Sequence, residues 1–307
     1  MRGFLLSLAV LFAGWTSGAS ASHAQATLWQ KSVDVAAKTA PDARILLLDI
    51  ASGKLLAERQ LVEASHTLAA PGSTLKPLVI YSLVAAGRWN PEQRVACDRK
   101  LVVAGHHLAC THPAATPFDA SEALAWSCNS YFSQVARGLR PVELGRILRS
   151  TGVLGATGLA GERGGGAQAE TIAEFREPMN TDAAQLALLG VEGIRVTPLE
   201  LAVAYRWLAR ELNTHAEPAA AQVVSAGLAD STGFGMARAA GAAGVSVAGK
   251  TGTAEGTESV QTHGWFAGWA PATNPQVVVV VYLPVGRGAD AARVAAVLLA
   301  NSPMGKR

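Results

Sequence analysis

Hydrophobic periodicity changes along this chain, and that change restricts the folds open to it. Near the start, "ARILLLDIASGKLLAER" places two β-like runs on either side of Ser52-Gly53, a hairpin signal. Near the end, "VSVAGKTGTA", "THGWFAGWAP" and "QVVVVVYLP" are three β-rich segments separated by turn residues, and "ADAARVAAVLLAN" follows with helical spacing. The stretch between them reads as helices. One follows "APGST" and stops at Gly87, and another opens at the capping pair Asp119 and Glu122. Others begin at Pro141 and at Thr181, and the last at Thr197-Pro198-Leu199-Glu200. "GERGGG" reads as a loop, and no internal repeat is visible. This order predicts an α+β protein whose central sheet is assembled from both chain ends, about 27–90 and 230–307, with a mostly helical lobe, about 91–229, inserted between them.

The first 26 residues carry a basic start, an apolar run from Phe4 to Trp15 and small residues ending at Ala24-Gln25-Ala26. That arrangement predicts a secretory signal cleaved after Ala26, with an uncleaved membrane anchor as the alternative. The expected location is therefore extracytoplasmic, and residues 27–307 form the working domain. A formal net charge of +3 with no Lys/Arg cluster argues against a nucleic-acid partner. In an oxidising compartment Cys97 and Cys110 lie close enough in sequence to form a disulfide. His106, His107 and His112 lie nearby, so zinc has to be weighed, but the spacing matches no common zinc pattern and the disulfide is the expectation. No cofactor is required. Cys128 reads as a small buried side chain, and His263 has no assigned partner.

"GVSVAGKTGTAE", Gly244 to Glu255, fits two motifs at once. Its first eight residues match G-x-x-x-x-G-K-[ST], the phosphate-binding loop. That loop needs irregular backbone between its glycines and a helix starting at the Lys. Here Val245 and Val247 alternate as a strand would, and the residues after Thr251 are too rich in Gly and Thr to open a helix. The second reading is Lys-Thr-Gly on a strand, paired with a nucleophilic Ser elsewhere. "PGSTLKP" supplies Ser73 with Lys76 one turn later on the same helix face, and "SCNSYF" supplies Ser127 and Asn129. The chain holds seven Lys against nineteen Arg, and among the Lys only Lys76 has a Ser three residues before it. A buried Lys can shed its proton and act as a base, whereas Arg cannot.

Ser-x-x-Lys, Ser-x-Asn and Lys-Thr-Gly, in that order, form the set shared by penicillin-binding proteins and class A β-lactamases. With "APGSTLKPL", "SEALAWSCNSYF", "VTPLELAVAY", "AGKTGTAE" and "GWFAGWAP", nearly the whole mature chain resembles the transpeptidase domain of penicillin-binding proteins. The resemblance implies a β-lactamase/transpeptidase-like fold around a central antiparallel sheet. It implies that Ser73 attacks a carbonyl, Lys76 takes its proton and Ser127 relays a proton to the departing amine. Asn129 would hold the substrate amide, while Lys250, Thr251 and Thr253 bind its carboxylate along the strand edge and Gly252 permits close approach. The backbone N–H groups of Ser73 and Thr253 would form the oxyanion hole. The implied partners are peptidoglycan stem peptides and β-lactam antibiotics. A D,D-carboxypeptidase or a β-lactamase is the alternative of the same chemistry, and a penicillin-sensing or scaffold protein the alternative of another class. Glu177 and Asn180 in "EFREPMN" match the lactamase Glu-to-Asn pair superficially, one residue too close together. Trp265, Phe266 and Trp269 are expected to pack the sheet against the terminal helix.

Overall fold

The computed structural model describes residues 17–97, 99–113, 117–140, 142–161, 170–214, 216–255 and 261–305. Helix α1 (Ser17–Ala37) leads into the hairpin β1 (Arg44–Asp49) and β2 (Leu55–Arg59), which turns at Gly53 with φ 78°. A short α2 (Leu61–His66) precedes a 3-10 turn (Gly72–Leu75) that runs directly into α3 (Lys76–Ala85). A small arm, β3 (Val102–Val103) with β4 (His106–His107), follows. The lobe continues through α4 (Ala120–Ala125), α5 (Asn129–Arg137), α6 (Glu143–Ser150), β5 (Glu174–Phe175), α7 (Thr181–Leu188) and β6 (Ile194–Arg195). Then come α8 (Pro198–Thr214), α9 (Pro218–Gly233) and α10 (Arg238–Gly241). The chain returns to the sheet as β7 (Ala248–Glu255), β8 (Thr262–Ala270) and β9 (Val277–Leu283), and closes with α11 (Gly288–Ala300).

The sheet order is β2-β1-β9-β8-β7, antiparallel throughout, so the N-terminal hairpin adds to the C-terminal meander through β1 and β9. The α+β expectation with strands from both chain ends is met. Helix cover on both faces explains the unbroken apolar run in β9, because neither set of alternate residues meets water. Val277, Val279, Val281 and Phe266 join a core with Trp29 and Val33 of α1 and Leu298 of α11. Val278, Val280, Trp265 and Trp269 belong to the second core, with Tyr205 of α8 and the lobe. The aromatic expectation is therefore corrected: Phe266 alone packs toward the terminal helix, while Trp265 and Trp269 face the lobe. Strand alternation forces this split, since neighbouring side chains point to opposite faces.

Local signals hold with small shifts. Asp119 and Glu122 form the capping box of α4, and Thr197 with Glu200 makes the equivalent pair at α8. At α7 the cap is Asn180 rather than Thr181, its side chain accepting from the Ala183 N–H at 2.8 Å. Pro141 and all of "GERGGG" beyond Gly161 lie outside the described residues. Helix α1 continues across the expected cleavage point after Ala26, and Trp29, Val33, Ala36 and Ala37, all beyond it, are buried. Among the described residues, no helix is long and apolar enough to cross a membrane.

Glycines set how closely the two halves meet. A methyl group on Gly252 of β7 would lie 2.5 Å from the Pro71 carbonyl oxygen. One on Gly190, whose φ is +68°, would lie 2.2 Å from the Gly72 carbonyl oxygen, and the Gly72 N–H donates to the Gly190 carbonyl at 2.9 Å. Gly190→Ala combines overpacking with a left-handed backbone and is expected to destabilise the chain by about 2–5 kcal/mol. Urea unfolding measures this, and a cost below about 0.5 kcal/mol would show that the contact is not tight.

Candidate active site

Ser73 sits in the 3-10 turn, where the Lys76 N–H donates to its carbonyl and Pro77 opens α3 behind it. Tyr205 of α8 anchors the turn by donating to the Thr74 carbonyl at 2.9 Å. From α3 the Lys76 side chain runs into the protein with no exposed surface. Its amine donates to the Ser127 carbonyl at 3.0 Å and to Asn129 Oδ1 at 2.7 Å, and it lies 3.4 Å from Ser127 Oγ. The Asn129 amide nitrogen donates to the Leu108 carbonyl at 3.0 Å, which leaves its oxygen facing the lysine. The amine also stands 5.1 Å from the centre of the Phe132 ring.

Ser127 owes its position to an unusual corner. Helix α4 ends with the Cys128 N–H donating to the Ala123 carbonyl and the Ser127 N–H to that of Leu124, the paired bonds of a closing turn whose left-handed residue is ordinarily glycine. Here that residue is Ser127, with φ 55°. A side chain in this conformation costs about 1–2 kcal/mol, so the hydroxyl stands where backbone economy favours its absence.

The third stretch is β7, the sheet's terminal strand. The strand runs unbroken through Lys250, so no helix starts there and the phosphate-loop reading fails. Thr251 is nearly buried, Thr253 is exposed, and Thr253 Oγ1 accepts the Gly288 N–H at 2.9 Å. A methyl on Gly72, the residue before Ser73, would lie 2.9 Å from the Thr253 nitrogen, so the serine turn abuts the strand backbone. Lys250 is fully buried, with its amine 3.2 Å from the Thr251 carbonyl.

The electrostatics follow from burial. Desolvation lowers the Lys76 pKa to about 8, against an opposing pull from the nearby thiols of Cys110, Cys128 and Cys97. Lys250 is pushed well below the usual lysine range, first by burial and then by the charge of Lys76. Two ammonium groups cannot share this pocket cheaply. Beside it, a cavity of about 510 Å³ is bounded by Ala69 and Ala70 ahead of the serine turn, by Glu255 at the end of β7, and by Arg176, Arg195 and His263. His263 has a partner after all, its Nε2 lying 2.8 Å from the Ala70 carbonyl oxygen. Ser73, Lys76 and Lys250 do not line that cavity.

All three motif stretches thus meet at one place. The disulfide expectation is corrected: Cys97 and Cys110 are not bonded to each other, and both meet Cys128 and His112 behind the Ser127–Asn129 corner. Sequence distance conceals this gathering, because Cys128 comes from the α4–α5 corner while Cys97, Cys110 and His112 flank the β3–β4 arm. Glu177 pairs with Arg149 of α6 at 3.1 Å and Asn180 caps α7, so each has a structural partner of its own. Gly72 and Gly190 are not among the sequence-predicted site residues; Gly72 is marked only by adjoining Ser73, and Gly190 only by opening "GVEG", and neither signal points to a backbone contact between them.

A buried lysine joined to a Ser-x-Asn corner, with a serine turn against a Lys-Thr-Gly strand, defines the architecture of a serine acyl-transferase. The model of the penicillin binding protein transpeptidase domain matches residues 45–301, and the chain belongs to that family. It is similar in fold to a peptidoglycan glycosyltransferase from Burkholderia ambifaria, with TM-score 0.76 and 20% identity over 91% of this chain and 94% of that one. The transpeptidase domain of Burkholderia pseudomallei penicillin-binding protein 3 gives TM-score 0.75 and 19% identity over 91% and 93%. Pseudomonas aeruginosa PBP2 gives TM-score 0.72 and 20% identity over 88% and 76%.

Ser127→Gly separates the strain from the chemistry. Unfolding stability is expected to hold or rise by up to about 1 kcal/mol, while labelling by a fluorescent penicillin slows about 10²-fold. Destabilisation with unchanged labelling would contradict both halves.

Proposed function

We propose that the chain is a serine D,D-transpeptidase that acts on peptidoglycan stem peptides through an acyl-Ser73 intermediate, on the extracytoplasmic side of the membrane. The observation that carries this reading is the bonding of the Lys76 amine to Ser127 and Asn129, while the Ser73 turn touches the Thr253 backbone. The substrate carboxylate binds at Lys250, Thr251 and Thr253. Its negative charge stabilises an ammonium on Lys250, and repulsion between the two amines then favours neutral Lys76. Ser73 Oγ attacks the peptide carbonyl as Lys76 accepts its proton. The oxyanion receives hydrogen bonds from the Ser73 and Thr253 N–H groups. The C–N bond breaks, Ser127 passes a proton to the leaving D-alanine amine, and an ester remains on Ser73. An acceptor amine attacks that ester and releases the serine. Penicillin enters the same sequence by ring opening, and its acyl group stays on Ser73. Association with the membrane comes from the leader, if it is retained.

A lactamase needs a base that holds the deacylating water. Glu177, the nearest sequence match, is engaged by Arg149, which favours slow deacylation. Ser73→Ala should abolish covalent labelling by a fluorescent penicillin. The unchanged chain should show a penicillin adduct that persists in intact-mass spectra, and should release D-alanine from a pentapeptide donor. Rapid loss of the adduct would indicate a lactamase, and acylation without D-alanine release a sensor.

The acylation rate carries a pH signature. The groups facing Lys76 are Lys250 on β7, Ser127 and Asn129 at the α4–α5 corner, and the thiols of Cys97, Cys110 and Cys128. Because the acting form is the neutral amine, the rate should rise as pH passes through about 8 and then level off. A flat profile from about pH 6 to about pH 10 would remove Lys76 as the base.

A further inference from the structure

Behind the Ser127–Asn129 corner, Cys97, Cys110, His112 and Cys128 bring their ligand atoms within 4.8 Å of one another. All four residues are at most 8% exposed. Cys97 Sγ and His112 Nε2 are 3.4 Å apart. A tetrahedral zinc with bonds of about 2.3 Å to sulfur and 2.0–2.1 Å to nitrogen separates neighbouring ligand atoms by roughly 3.5–3.8 Å. The cluster is therefore close to the size of such a site. A Cys97–Cys110 disulfide would use two of the four groups and leave a third thiol and an imidazole buried against it.

The surroundings orient the donors. His112 Nδ1 lies 2.7 Å from the Pro113 carbonyl, so its N–H is held there and Nε2 presents a lone pair to the sulfurs. The Asn129 N–H donates to Cys110 Sγ at 3.1 Å, and Ser130 Oγ lies 3.5 Å from Cys97 Sγ, two contacts suited to thiolates. Phe118 meets the imidazole edge-on, with ring centres 4.9 Å apart. Three sulfurs and one nitrogen suit zinc and exclude calcium and magnesium, which take oxygen donors.

We propose that these four residues bind one structural zinc ion, which fixes the corner carrying Ser127 and Asn129. Binding converts three thiols to thiolates and releases three protons to solvent, with no change of oxidation state. Cys128 lies between Ser127 and Asn129 and caps α5, so the ion holds both neighbours through the backbone. Cys97, Cys110 and His112 flank the β3–β4 arm, so the ion also ties that arm to the helical lobe. The zinc is a positioning element that touches no substrate.

Elemental analysis of the untagged full chain, purified without chelator, should find one zinc per chain. Denaturation without reductant should expose three thiols to alkylation. Cys97→Ser and His112→Ala should each lower the zinc content severalfold, and cobalt(II) in place of zinc should show the spectrum of a tetrahedral thiolate site. Removing zinc with a chelator should lower the melting temperature and slow penicillin acylation about 10²-fold through misplacement of Ser127 and Asn129, with recovery on adding zinc back. A zinc-free chain with Cys97 and Cys110 oxidised to a disulfide, and only one thiol open to alkylation, would overturn the proposal. So would a chain that binds another metal in preference to zinc. The wild-type stoichiometry decides the matter even if the variants fail to fold, and it does so whether or not Ser73 reacts.

Discussion

A lysine amine sealed from solvent is the constraint on which this structure turns. Burying an ammonium without partners costs several kcal/mol, and Lys76 can be placed only where acceptors converge on it. They come from one corner of the chain, the Ser127 carbonyl and the Asn129 side chain. The amine therefore fastens the helix that follows the serine turn to the corner between two lobe helices. Burial also lowers the proton affinity of the lysine, which suits it to the base role proposed for it.

The sheet supplies the other wall. Its edge strand β7 approaches the serine turn through positions where no side chain fits, Gly252 against Pro71 and Gly72 against Thr253, and from the lobe side Gly190 meets the same turn at Gly72. Close backbone contact leaves the strand edge beside the Ser73 turn, the geometry an extended peptide needs to add as a further strand. Local cost is accepted at Ser127, where the left-handed conformation suits glycine better than serine. Strain of this kind gathers where a side chain is kept for its chemistry.

Much of this was legible in the residues themselves. Three β-rich segments and an N-terminal hairpin gave the strands, and capping pairs such as Asp119–Glu122 and Thr197–Glu200 marked helix starts. Motif order alone groups Ser73, Lys76, Ser127, Asn129 and Lys250 into one site. That Phe266 faces away from Trp265 and Trp269 follows from strand alternation, but which face meets the lobe and which the terminal helix is not legible, because a sheet covered on both faces shows no polar alternation. The meeting of Cys128 and His112 with Cys97 and Cys110 depends on tertiary packing of the arm against the α4–α5 corner, and no local spacing encodes it. Helix α1 packs Trp29 under the sheet within a stretch whose opening residues read as a leader.

The central claim is that three distant stretches form one reactive cleft around Lys76. A crystal structure of the penicillin-treated chain tests it most directly. Continuous density from Ser73 Oγ to the opened lactam, with its carboxylate in hydrogen-bond reach of Thr251 and Thr253 and the Lys76 amine beside the ester, is the predicted result. An unmodified Ser73, or an adduct whose carboxylate lies away from β7, would contradict the account.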